Sequence, residues 1–118
     1  MNMVVYGIPN CDTVKKARTW LTEQGHAFAF HDFKKAGVTA ELLTQWLAEV
    51  PLDTLLNRRG TTWRALSDAQ KAAAEAADGA ISLMIAQPSV IKRPVVTVDG
   101  QVQAVGFKPD EYAARFSV

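Results

Sequence analysis

Met3-Val4-Val5-Tyr6-Gly7-Ile8-Pro9-Asn10-Cys11-Asp12-Thr13-Val14 is the stretch that decides how this chain is read. A strand-like run, Met3 to Gly7, gives way across the loop Ile8-Pro9-Asn10 to a helical pattern whose apolar face is Val14, Ala17 and Leu21, with Gly25 as its C-terminal cap. Cys11, the only cysteine among the 118 residues, falls at the junction. The unpaired N–H groups and the positive dipole end of a helix N-terminus favour a thiolate, the reactive form of cysteine. The dipole is worth about 0.3–1 kcal/mol, up to about 2 kcal/mol when partly buried, so it lowers a thiol from about 8.5 only to about 7–8. A mostly ionised thiolate at neutral pH therefore needs a further cation. Lys15 and Lys16 are near in sequence, but side chains in the first turns of a helix need not reach back over its N-terminus. The competing reading is a buried, inert cysteine, the commonest state of a free thiol.

Beyond the first helix, Ala27 to Phe33 reads as a second strand with both faces partly apolar. Thr39 caps a helix in which Leu42, Leu43, Trp46, Leu47 and Val50 recur at helical spacing, and Pro51 ends it. Leu52 to Asn57 reads as a short helical turn that runs into the polar segment Arg58 to Arg64. Ser67 and Gln70 have the form of a capping box, opening an alanine-rich helix that stops near Gly79; a short helix follows from Ala80 to Gln87, closed by Pro88. Val95–Val98 and Val102–Val105 flank Asp99-Gly100, a strong hairpin signal, and Pro109 opens a last helix through Phe116. Strands joined by a helical crossover are parallel and hairpin strands antiparallel. The expectation is an α/β protein: a mixed four-stranded sheet covered by helices, in the order of a thioredoxin-like fold with a helical insertion at about 39–88, and a single domain over 1–118.

Apolar content of 48% and charged content of 21% match an ordinary globular chain, and a net charge of +1 argues against a broad nucleic-acid surface. One cysteine makes no internal disulfide, and the N-terminus lacks the basic-then-apolar pattern of a signal peptide, so a reducing, cytoplasmic setting is expected. The apolar stretches fall far short of the ~20 residues that cross a bilayer, so no membrane span is expected. His26 and His31 lack metal-ligand spacing with the cysteine and read as structural or exposed, so no metal is expected. Trp63, which follows an arginine-rich segment, either packs or lines a site. No phosphate loop, dinucleotide fingerprint or carboxylate pair is present.

Three segments in order, Tyr6 to Ala17 around Cys11, Leu55-Leu56-Asn57-Arg58-Arg59-Gly60-Thr61-Thr62-Trp63-Arg64, and Ile91-Lys92-Arg93-Pro94 followed by a hairpin, resemble the arsenate reductase-like family, ArsC/Spx/YffB. Within it the chain looks most like the YffB branch. The resemblance implies an ArsC-like thioredoxin fold in which Cys11 is the nucleophile. It also implies that Arg93, before a cis Pro94, faces the cysteine and supplies the missing cation. Arsenate reductases of this family surround the cysteine with three arginines. Here the middle position falls in Asn57-Arg58-Arg59, with either Asn57 or Arg59 in register, and the last is Lys108. Lysine keeps the charge but not the planar fork that grips an oxyanion through two bonds, so weak arsenate reduction is one alternative function.

Position 14, where a C-x-x-C enzyme carries its second sulfur, is Val14. A mixed disulfide on Cys11 must then be resolved by an external thiol, and glutathione is the abundant small candidate in a reducing cytoplasm. Asn10, Asn57, Arg58, Arg59, Arg93, Pro94 and Lys108 are the candidate glutathione-binding residues, the cations matching its two carboxylates. The leading expectation is a monothiol, glutathione-dependent thiol–disulfide reductase, with glutathione as co-substrate and a small thiol, disulfide or oxyanion as substrate. The alternative of another class is an Spx-like regulator that binds RNA polymerase.

Overall fold

The computed structural model of the chain describes residues 2–116. The elements run β1 (Met3–Gly7), α1 (Asp12–Glu23), β2 (Ala29–Asp32), α2 (Phe33–Ala36), α3 (Ala40–Glu49), α4 (Leu52–Leu55), α5 (Thr61–Arg64), α6 (Asp68–Ala73), α7 (Ala77–Ala86), a 3-10 turn (Pro88–Val90), β3 (Val95–Val98), β4 (Gln101–Val105) and α8 (Pro109–Phe116). They form two compact units, one made of the residues up to Ala36 with those from Arg93 onward, the other Gly37–Lys92.

The first unit carries the sheet, a mixed four-stranded one in the order β2-β1-β3-β4. β1 pairs parallel with β2 and antiparallel with β3, and β4 pairs antiparallel with β3. This is the mixed α/β sheet of a thioredoxin-like fold. The alternation of β1 sends Met3 and Val5 to one face, where they pack with Ala17 and Leu21 of α1 and Tyr112 and Phe116 of α8. On the opposite face the Tyr6 ring lies 4.9 Å from His31 and 6.4 Å from Phe33, between centroids. Asp99 and Gly100 both have positive φ, 52° and 84°, as a two-residue hairpin turn matched to strand twist requires. His26 ties down the last helix: its Nε2–H donates to the Phe116 carbonyl at 2.8 Å, and its ring stacks on Trp20.

The second unit is helical, built around buried Leu43, Trp46, Leu55, Met84, Val90 and Ile91. Its start signals act as the sequence implies. Thr39 Oγ1 accepts from the Leu42 N–H at 3.2 Å, and Ser67 with Gln70 closes a reciprocal capping box.

Three local expectations are corrected. The second strand is shorter than Ala27 to Phe33: Asp32 Oδ1 accepts from the Lys34 N–H at 2.8 Å, turning the chain so that Phe33 opens α2 instead of closing β2. The polar segment after Gly60 contains the one-turn helix α5, too short to show an apolar period. The alanine-rich helix stops at Ala73, and Gly79 lies inside α7 rather than at a helix end. A Cβ on Gly79 would stand 1.9 Å from the Ala73 carbonyl oxygen, so this glycine permits the close approach of α6 and α7.

Gly79→Ala should therefore destabilise the protein although alanine is the better helix former by about 1 kcal/mol. Overpacking against backbone costs about 1–3 kcal/mol, and the urea midpoint should fall. A raised midpoint would contradict the close approach.

Candidate functional site

The site begins with strand register. Tyr6 of β1 pairs with Val95 of β3. The chain leaving β1 leads through Gly7 to Cys11, and Arg93-Pro94 lies immediately before Val95, so adjacent strand ends deliver the sulfur and the guanidinium. Gly7 lets the first turn of α1 sit on the end of β1: a Cβ there would come within 2.8 Å of Val14 Cγ2. Asn10 is an exposed turn residue, and the Cys11 N–H donates to the Ile8 carbonyl at 3.3 Å. Cys11 is itself the N-cap of α1, with extended backbone (φ −102°, ψ 124°) and its carbonyl accepting from the Lys15 N–H at 2.9 Å.

At that position an N-cap side chain faces the N–H groups two and three residues on, here Thr13 and Val14. The thiol closes no cap hydrogen bond of its own, and the thiolate is the form these donors favour. The half-buried sulfur feels opposed influences. Partial burial pushes the thiol up; against it act the Val14 N–H, then the Arg93 side chain by hydrogen bond and by charge, then the Thr13 N–H. The net direction is below the ordinary thiol value.

The Arg93–Pro94 peptide bond is cis, and Pro94 is buried. The Pro94 carbonyl accepts from the Gly106 N–H at 2.8 Å. Lys108 follows two residues after Gly106, exposed, at the mouth of α8, where its carbonyl accepts from the Tyr112 N–H.

Asn57, Arg58 and Arg59 belong to the second unit. The Asn57 N–H donates to the Val90 carbonyl at 2.7 Å, and its Oδ1 accepts from the Arg59 N–H at 3.2 Å. Arg58 is engaged locally: it pairs with Asp53 and lies over the Trp63 ring, 5.6 Å from the centroid. Trp63 thus packs on an arginine. The Arg59 carbonyl accepts from Arg64, while its own side chain is exposed and in no ion pair among the described residues. The structure so brings Cys11, Arg93 and Pro94 together in the first unit and orders the Asn57–Arg59 turn within the second. The sequence reading missed two residues of the site's frame, Gly106 and Tyr112. The glycine after a strand was the available signal for the first.

Among the described residues no group of three or more His, Cys, Asp or Glu side chains could hold a metal ion, and no helix is long and apolar enough to cross a membrane.

Fold and site together define a thioredoxin-like protein with a lone cysteine at a helix N-terminus opposite an arginine. The profile of the ArsC family matches residues 6–115, and the chain belongs to the ArsC family. It is 39% identical over 115 residues to an uncharacterized protein of Haemophilus influenzae, covering 98% of this chain and 99% of that one. It is 27% identical over 109 residues to the global transcriptional regulator Spx of Streptococcus agalactiae, covering 90% of this chain and 77% of the regulator. Among solved structures, a YFFB protein superposes with a TM-score of 0.90 at 53% identity, covering 98% of this chain and all of that one. An arsenate reductase (ArsC) related protein from Brucella melitensis superposes with a TM-score of 0.76 at 49% identity, covering 100% of this chain and 97% of the other.

Arg93→Ala should shift the alkylation pH profile of Cys11 upward. A hydrogen bond to a charged group is worth about 1.5–3 kcal/mol, and the higher intrinsic nucleophilicity of a more basic thiolate offsets about half of the loss, so alkylation at neutral pH should slow about three- to tenfold. An unchanged profile would make Arg93 a bystander.

Proposed function

We propose that this chain is a glutathione-dependent thiol–disulfide reductase in which Cys11 is the nucleophile and Arg93 the cation that holds it as a thiolate. The single observation that supports this most is a half-buried lone cysteine at the head of α1 with its titration lowered by Val14, Arg93 and Thr13. Both units act in this reading as one domain, since the family match runs through both.

The cycle balances with glutathione alone. The Cys11 thiolate attacks the glutathione sulfur of a mixed disulfide, forming a Cys11–glutathione disulfide and expelling the substrate sulfur as a thiolate that takes up a proton. A second glutathione thiolate then attacks the glutathione sulfur of that adduct, releasing oxidised glutathione and restoring the Cys11 thiolate. The substrate disulfide is reduced by two electrons, and two glutathionyl groups leave joined. Arg93 stabilises the thiolate before attack and again as leaving group. In this reading the first unit offers Asn10 and Pro94 to the glutathione peptide and Lys108 to a carboxylate, and the second unit's own turn carries the candidate partners Asn57, Arg58 and Arg59. Of these cations Arg58 already serves Asp53 and Trp63, whereas Arg59 and Lys108 are exposed, so they carry most of that role.

The likeness to Spx supports a second reading, a regulator that binds RNA polymerase. The reductase reading expects one glutathione adduct on the wild-type chain after exposure to oxidised glutathione, none on Cys11→Ser, and release by excess reduced glutathione. Arg59→Glu or Arg93→Glu should slow the adduct more with glutathione than with an uncharged disulfide. Absence of the adduct, with polymerase retained on the immobilised protein, would favour the regulator.

Arsenate turnover coupled to glutathione should be weak or absent, because lysine at 108 and the Asn57–Arg59 turn do not reproduce three arginine forks. Robust turnover at low arsenate would show that these departures do not matter.

A further inference from the structure

Tyr112 is fully buried, and its ring meets three others edge-on: Trp20 at 5.6 Å, Phe107 at 4.8 Å and Phe116 at 5.2 Å between centroids. Phenylalanine would satisfy all of that packing. The hydroxyl is an added polar group whose burial is costly unless it is hydrogen-bonded, and its bond goes to one loop carbonyl: it donates to Gly106 O at 2.7 Å. Gly106 is also buried and has φ +85°, a left-handed conformation that glycine adopts without steric cost, and its N–H serves a different partner from its carbonyl. That partner is the Pro94 carbonyl, at 2.8 Å. Arg93 is the next residue back along the chain.

We propose that Tyr112 is a positioning residue for Arg93: its hydroxyl holds Gly106, Gly106 holds Pro94, and these two hydrogen bonds fix the backbone from which Arg93 reaches Cys11. The chain of contacts closes on itself through α1. Trp20, near the C-terminal end of α1, packs on the Tyr112 ring, and Cys11 caps the N-terminal end of the same helix. Sulfur and guanidinium are therefore referenced to one rigid element from its two ends. α8 is anchored independently by the His26–Phe116 hydrogen bond, so the hydroxyl is presented from a fixed platform. Burial, reinforced by the Glu111 charge, pushes the Tyr112 hydroxyl well above the ordinary phenol value, which keeps it a donor across the range where a thiol titrates.

The inference rests on Cys11 being a thiolate nucleophile under Arg93, and is independent of which thiol resolves the adduct. Its test is a double-mutant cycle read by the pH midpoint of Cys11 alkylation. Tyr112→Phe keeps the ring, should keep the fold by circular dichroism, and should raise the midpoint and slow alkylation at neutral pH about twofold or more, the scale of coupling within one hydrogen-bond network. In the Arg93→Ala background the same substitution should change nothing further. Phe116→Leu, which loosens the same aromatic cluster without touching the hydroxyl, should lower Tm and leave the midpoint in place.

In the wild-type protein, the Gly106 amide should be as protected from hydrogen exchange as the paired amides of β3 and β4. Exchange at loop rates, an unmoved midpoint in Tyr112→Phe, or an effect that persists without Arg93 would each overturn the proposal. A midpoint that Arg93→Ala itself fails to move would defeat the thiolate reading as well. A midpoint moved by Arg93→Ala and not by Tyr112→Phe would defeat this inference alone.

Discussion

The pairing of β1 with β3 is the constraint on which the rest of the site depends. Because Tyr6 lies opposite Val95, the loop that leaves β1 and the residues that enter β3 emerge at the same end of the two central strands. The helix that Cys11 caps then presents its free N–H groups toward the sulfur, and Arg93 adds charge from the segment that enters the neighbouring strand. Neither influence suffices alone: burial works against the anion, and a dipole end is worth no more than about 2 kcal/mol. Convergence of several weak donors on one sulfur is what lowers the thiol, and the backbone register brings it about.

The lone thiol shapes everything downstream. With Val14 in place of a second sulfur, the chain has no means of clearing its own mixed disulfide, so its chemistry is open to whichever external thiol can approach. The arsenate reductase (ArsC) related protein superposes on this framework, and the global transcriptional regulator Spx is similar to 90% of the chain, so one scaffold is shared by proteins with different names and roles.

Legibility followed the range of the interactions. β1, the Asp99-Gly100 hairpin, the Thr39 cap and the Ser67 capping box are fixed by residues within a few positions of one another, and all were readable from side-chain chemistry. The N-cap position of Cys11 was readable for the same reason. Gly79 misled because a glycine in an alanine-rich run looks like a helix end, while its reason is a carbonyl six residues away brought close by packing. Arg58 looked like a free cation because Asp53 and Trp63 reach it across a turn at a spacing that no regular period announces. Tyr112 looked like an ordinary residue of an amphipathic helix, since nothing in its neighbourhood names Gly106 as its partner. Arg93 could be placed opposite the sulfur only through family resemblance; register supplies the physical reason.

The fold, and not the cysteine itself, makes the sulfur acidic. Thiolate ultraviolet absorbance of the wild-type chain, followed against pH once in buffer and once in denaturant, tests this most directly. The native midpoint should lie clearly below that of the unfolded chain, which should sit near the free-cysteine value of about 8.5. Coincident midpoints, or a native midpoint above the unfolded one, would show that burial dominates and that Cys11 is an inert thiol.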